Sequence, residues 1–428
     1  MKKIIKLFAA SALLISLFFT GCDNPAFYGI SQDVVSEDAT VSGSISQITR
    51  YTASGTEFLI VNADGGLRYK RADNRTHGSW ATYGALPFSL HSYDYYGESH
   101  NGEQIIKIVA DTDYLYILSC TYKNDNDEGT VAPDVLRLRC AKITSTNGQT
   151  LDSAEWKLLD ESTSGNASAK FKIYKYSSTG YYYSAFSLFS TNSVNPAHRT
   201  VFLRSGKYNA VNTSSDSAWR NVSYYQLKDG AISSYDISKI WAGSTLYADS
   251  NIKSNNINVY GAAYINNGLQ FFNNPAVDTN ETKTTDATFA YYGNGSYVHY
   301  LKSDATYGGS IGTSRSVSAL AVCADSIIIG MGTWDASLGV STYGGITKSN
   351  LSNGIPTGTT SFKTNAESQI TSGYHVYALL NADPSETETA SALYAAIGIA
   401  GTGSSSGVAY SSIGLWSYYP SRGNWNRE

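Results

Sequence analysis

The sequence predicts an all-β chain: a β-propeller of six to seven blades behind a short leader and a linker. Three observations predict it. After Ile45, short β-rich runs recur between clusters of Gly, Asn, Asp and Ser, with no long helical stripe among them. Several runs are apolar at every position, which demands burial on both faces and hence stacked sheets. Strand–turn–Gly–strand units repeat, and a Trp often closes them.

The elements follow in chain order. Lys2, Lys3 and Lys6 precede an apolar run from Leu7 to Phe19, broken only by Ser11 and Ser16. That run is shorter than the roughly 20 residues a membrane span needs, so it reads as a leader. It ends in Phe19-Thr20-Gly21-Cys22, which resembles a bacterial lipobox with Phe in place of the usual Leu three residues before the Cys. The resemblance implies a signal peptide over 1–21 and acylation of Cys22. Several acyl chains, at about 0.8 kcal/mol per buried methylene, then make a membrane anchor in the cell envelope, on the periplasmic or the surface face. Residues 22–44 are polar and acidic (Asp33, Glu37, Asp38) and read as the acylated N-terminus and a flexible linker.

The propeller domain takes residues 45–428. Its strands include Glu57–Val61, Ile105–Val109, Tyr114–Leu118, Val201–Leu203, Ala319–Val322 and Ile327–Ile329. The clearest repeat pair is Gly66-Leu67-Arg68-Tyr69 leading to Trp80 and Gly414-Leu415-Trp416-Ser417 leading to Trp425. Blades are expected over 45–84, 85–160, 161–228, 229–314, 315–365 and 366–428, the fourth long enough to hold a seventh. Radially packed four-stranded sheets supply both the doubly buried strands and the repetition. Two β-sandwich domains are the alternative. Leader and repeats together resemble a bacterial, spirochaete-type propeller lipoprotein, a likeness that implies no activity by itself. Asn62-Ala63-Asp64-Gly65-Gly66-Leu67-Arg68-Tyr69 resembles an Asp-box, the hairpin turn of sialidase-like propellers, where the box is structural.

Composition narrows the function. The 428 residues carry a net charge of −4, with 42% hydrophobic and 15% charged residues. That is too apolar for a disordered chain, and it lacks the basic footprint of a nucleic-acid binder. The six histidines are scattered, no metal motif stands out and no cofactor is expected. The loop Asn124–Gly129 is rich in oxygen ligands but fails the EF-hand order, so it reads as a solvated hairpin tip. Gly403-Ser404-Ser405-Ser406-Gly407 matches G-x-S-x-G formally, without the strand–turn–helix context of a nucleophile elbow. Cys120 and Cys140 flank one hairpin and are candidates for a disulfide, the alternative being two buried thiols; Cys323 reads as a small buried hydrophobe.

Tyrosine, at 34 residues, is the most telling feature. Tyr93, Tyr95 and Tyr96, and Tyr181, Tyr182 and Tyr183, lie among Ser, Asn and Gly. This mixture offers amphipathic contact surface at low entropic cost, or simply fills strands. The expected function is a non-catalytic, membrane-anchored binding scaffold for a protein or glycan partner. The alternatives are a propeller hydrolase or lyase acting on glycans, and a structural component of an envelope complex.

Overall fold

A computed structural model of the chain describes Val41, Ile45 and, apart from single positions, residues 47–63, 66–90, 102–121, 135–163, 182–190, 201–209, 219–234, 290–301, 307–332, 344–362, 375–398 and 414–428, with a few two-residue pieces between them. The leader, most of the linker including Cys22, the loop 124–129 and the segment 403–407 lie outside the described residues. Among the described residues every regular element is a β-strand, and no helix is long and apolar enough to cross a membrane.

Among the described residues the strands form six antiparallel sheets of three or four strands, each built from consecutive chain, and three two-stranded hairpins. The first sheet is β1 (Ile48–Ala53), β2 (Thr56–Ala63), β3 (Gly66–Arg71) and β4 (Ala81–Tyr83). A small hairpin, β5 (Ser92–Tyr93) and β6 (Ser99–His100), leads to the second sheet. That sheet holds β7 (Gln104–Ala110), β8 (Leu115–Thr121) and β9 (Val135–Ala141); the hairpin β10 (Ser145–Thr146) and β11 (Thr150–Leu151) precedes its outer strand β12 (Trp156–Thr163). The third is β13 (Tyr182–Ser190), β14 (Val201–Asn209), β15 (Trp219–Lys228) and β16 (Ala231–Ser234). The fourth has three described strands, β17 (Ala290–Asn294), β18 (Tyr297–Leu301) and β19 (Tyr307–Gly312). The fifth is β20 (Val317–Val322) and β21 (Ser326–Met331), then, past the hairpin β22 (Trp334–Asp335) and β23 (Val340–Ser341), β24 (Gly345–Ser352) and β25 (Ile355–Ser361). The sixth is β26 (His375–Asn381), β27 (Leu393–Gly398), β28 (Gly414–Tyr419) and β29 (Asn424–Arg427). The third sheet thus runs on to Ser234, past the boundary at 228 that the sequence suggested, because Asp229-Gly230 is a hairpin turn rather than a break between units.

The sheets stack face to face in the order fourth, fifth, sixth, first, second, third. One apolar cluster fills each seam: Val298 with Ile329, Ile328 with Ile397, Ala392 with Leu59, Phe58 with Ile117, and Leu138 with Leu203. First strands meet across four of these seams, β20 with β26, β26 with β1, β1 with β7 and β7 with β13, and β17 meets β20 across the other. The doubly buried runs of the sequence are therefore inner strands of stacked sheets; β20 and β21 are buried at every position. Strands β20 and β26 run in the same direction. Ser318 near the start of one donates to the Val376 carbonyl near the start of the other, at 2.6 Å, and the Asn381 amide donates to the Val322 carbonyl at their ends, at 2.9 Å.

Antiparallel order gives each sheet two unlike ends. At the turn end sit the first-to-second and third-to-fourth connections. Ser54-Gly55, Asp229-Gly230 and Asn353-Gly354 are two-residue turns with both residues at positive φ, the hand that matches strand twist. This end is stitched from sheet to sheet. The Tyr51 hydroxyl receives the Ile143 amide at 2.7 Å, joining the first and second sheets. Tyr116 donates to Asp111 at 2.5 Å and receives the Gly230 amide at 3.2 Å, joining the second and third. Tyr291 donates to the Gly354 carbonyl at 2.6 Å, joining the fourth and fifth. The Ala324 amide donates to the Glu386 carbonyl at 2.8 Å, and Arg75 pairs with Glu386 at 2.9 Å, joining the fifth, sixth and first. At the crossover end sit the second-to-third connections and those leading to the next sheet.

Candidate functional site

A polar cluster lies at the crossover end of the second sheet, at the root of the β5–β6 hairpin. The run Leu136-Arg137-Leu138-Arg139-Cys140 alternates, so Leu136, Leu138 and Cys140 enter the seam with the third sheet while both arginines take the other face. Glu103 stands just before β7. Its amide donates to the Ser89 carbonyl at 2.8 Å and it bridges to Leu90, which closes the base of the hairpin. Arg139 grips both Glu103 oxygens, at 2.5 and 2.7 Å, in a two-pronged pair, and lies over the Phe88 ring at 4.7 Å. Arg137 reaches Glu103 Oε1 at 3.0 Å and Glu161 at 2.7 Å, and Ser119 donates to Glu103 Oε2 at 2.5 Å. Burial opposes the Glu103 charge, but the Arg139 and Ser119 hydrogen bonds and the two guanidinium charges outweigh it and hold the carboxyl below its ordinary pKa. Every charge here is balanced, so the cluster is a rigid floor beneath the hairpin rather than an acid–base pair.

The expected binding tyrosines stand as follows. Tyr93 occupies β5, paired with Ser99. Tyr182 and Tyr183 open β13, paired with Asn209 and Tyr208. Their side chains, and Tyr95, Tyr96 and Tyr181 altogether, lie outside the described residues. Sequence reasoning missed Glu103, Arg137 and Arg139. The alternation of Leu and Arg was visible, but the carboxylate that binds the arginines lies 34 and 36 positions away.

Of the two readings for Cys120 and Cys140, the disulfide is not made; both thiols are free and buried, as is that of Cys323. Register explains it. Cys120 pairs with Leu136, and Cys140 with Tyr116, so the two lie four positions apart along the ladder. That is about 13 Å at strand rise, far outside disulfide reach. Burial pushes the Cys140 thiol up to about 11 and Cys323 up to about 12, which keeps both protonated and inert.

Two further ionisable groups are buried on first strands without a hydrogen-bond partner among the described residues. Burial lowers Lys107 on β7 to about 7 and His375 on β26 to about 3. His375 packs on Gly332, where a Cβ would clash with its ring, and on Tyr377, 4.6 Å away. Among the described residues no group of His, Cys, Asp and Glu is placed to hold a metal ion.

No family model matches the sequence. No curated protein matches it either. Solved structures do resemble it distantly. A glycosyl hydrolase from Bacteroides ovatus aligns over 91% of this chain and 88% of its own at 9% identity, with a TM-score of 0.30. The Trypanosoma rangeli sialidase in complex with sialic acid aligns over 83% of this chain and 52% of its own at 12% identity, with a TM-score of 0.34. A gluconolactonase from Xanthomonas campestris aligns over 68% of this chain and 84% of its own at 10% identity, with a TM-score of 0.24. Likenesses this weak carry no activity across to this chain.

Proposed function

We propose that the six sheets are blades of a closed propeller of six to seven blades, held to a bacterial membrane through acylated Cys22. The body is a non-catalytic scaffold that binds a protein or glycan at the crossover end. What supports this is the unlikeness of the two sheet ends. Outside the fourth sheet, the turn-end connections hold one tyrosine, Tyr114, and are tied into their neighbours. The crossover connections are longer and hold Tyr93, Tyr95, Tyr96, Tyr122, Tyr181 and Tyr374 among others, mixed with Ser, Asn and Gly. Segments that need not stitch sheets are where adaptable contact residues collect.

The test uses the full chain in detergent, screened against glycan arrays and envelope proteins, beside the triple variant Tyr93→Ala, Tyr95→Ala, Tyr96→Ala. Binding that weakens about tenfold or more in the variant, at unchanged melting temperature, supports the scaffold. Turnover of a glycan with no stable partner overturns it. Fatty-acid labelling that survives Cys22→Ala overturns the anchor.

A further inference from the structure

The seam between the sixth sheet and the first holds a feature that the binding reading does not use. Lys70 on β3 is buried, and its ammonium sits over two aromatic rings, Trp80 and Tyr394, each at 5.3 Å, and donates to the Tyr419 hydroxyl at 3.2 Å. Trp80 and Tyr394 meet edge to face, as do Tyr394 and Tyr419. The fourth wall is Glu428, whose carboxylate lies 3.2 Å from Lys70 Nζ, with both side chains fully buried. Each wall is itself fixed. The Trp80 indole donates to Glu428 Oε2 at 2.6 Å, Tyr419 donates to Oε1 at 3.2 Å, and the Gly78 amide reaches Oε2 at 3.3 Å. The Tyr394 and Tyr419 hydroxyls lie 3.1 Å apart, and Lys70 also donates to the Thr76 carbonyl at 3.0 Å.

Lys70 and Trp80 belong to the first sheet and its 72–80 connection, while Tyr394, Tyr419 and Glu428 belong to the sixth. The connection reaches across elsewhere too. Arg75 donates to the Ala390 carbonyl at 3.2 Å and pairs with Glu386, and His77 meets the Arg427 carbonyl. Electron-rich ring faces around a charge, closed by one carboxylate, make up the chemistry that recognises an ammonium group. A neutral side chain of the same length would fill the space but leave Glu428 as an uncompensated buried anion.

We propose that this is an ammonium-recognition cage occupied by the chain's own Lys70, and that the ammonium rather than the hydrocarbon stem fastens the sixth sheet to the first. Its occupant is a primary alkylammonium, so the site in Lys70→Ala accepts one from solution.

The experiment measures hydrogen exchange and refolding of the full chain. Lys70→Met should speed exchange at Leu415, Trp416 and Tyr69 by about tenfold or more while leaving Tyr51 and Ile117, in the seam of the first and second sheets, unchanged. Lys70→Ala, refolded from denaturant, should regain yield and melting temperature with n-propylammonium chloride but not with n-propanol or sodium chloride. This second arm reads out even where the variant does not fold unaided. Equal rescue by n-propanol, no rescue by n-propylammonium, or a Lys70→Met seam as protected as the parent's would each overturn the proposal.

Discussion

The two ends of the sheets are made from the same repeating strands yet place their tyrosines differently. At the turn end, tyrosine works as a fastener. Tyr51, Tyr116 and Tyr291 bury their rings and spend their hydroxyls on the neighbouring sheet, and Tyr419 does the same inside the cage, where it receives Lys70. At the crossover end, tyrosine sits in connections whose lengths the seams do not dictate. The difference teaches that a composition signal is not a site signal. One residue type has an apolar body for the core and a polar tip for a partner, and only its place decides which is used.

The comparison breaks most readily at a fastener. Tyr116→Ala removes a fully buried ring and leaves the Asp111 carboxylate, already pushed up by burial, without its hydroxyl donor. A loss of about 3–5 kcal/mol is expected in denaturant unfolding.

Lys107→Met should change stability in the other direction. The folded-state amine titrates at about 7 against 10.5 for the ordinary side chain, so the unfolded chain binds more protons between those values. Parent stability therefore rises with pH from about 7 to 10.5, and the full penalty applies below 7. The methionine variant should be more stable by roughly 2–4 kcal/mol at pH 6 and lose this pH dependence, as melting at pH 6, 8 and 10 would reveal. Equal slopes in parent and variant would refute it.

Gly55→Ala probes a turn alone. Its φ of +79° strains any L-residue, while open space surrounds the site, so a cost of about 1 kcal/mol is expected from backbone conformation only. The triple tyrosine variant of the β5–β6 connection sits at the other extreme, with stability expected to stay within about 0.5 kcal/mol while binding is lost. Smallest of all is the effect of reductant. Intact mass after alkylation should find three free thiols at Cys120, Cys140 and Cys323, with no change in melting temperature on adding dithiothreitol.

Much of this fold was legible because its rules are local. Alternation, all-apolar runs and Asn-Gly or Asp-Gly turns depend on residues within a few positions of each other, and they mark strands such as Ile327–Ile329 and turns such as Asn353-Gly354 directly. The relation of Cys120 to Cys140 is of a different kind, because it turns on register: a ladder doubles any offset in the hairpin centre, and the strands pair Cys120 with Leu136 and Cys140 with Tyr116. The Lys70 cage was out of reach altogether. Its partners lie up to 358 positions apart, and no periodicity links Lys70 to Glu428. Lys107 did carry a warning in the sequence: a lysine inside Ile105-Ile106-Lys107-Ile108-Val109 either faces solvent or is buried at a cost. A bulge beside it in the β7–β8 ladder accompanies the second outcome.

Val41 has a mechanical consequence. Its amide donates to the Glu428 carbonyl at 3.3 Å, and its side chain is packed into the seam of the sixth and first sheets. Tension pulled along residues 22–44 would enter the body there, next to Glu428 and the Lys70 ammonium. If residues 22–44 are the proposed tether, drawing it taut loads that junction, so its rupture force in single-molecule pulling should track the occupancy of the cage.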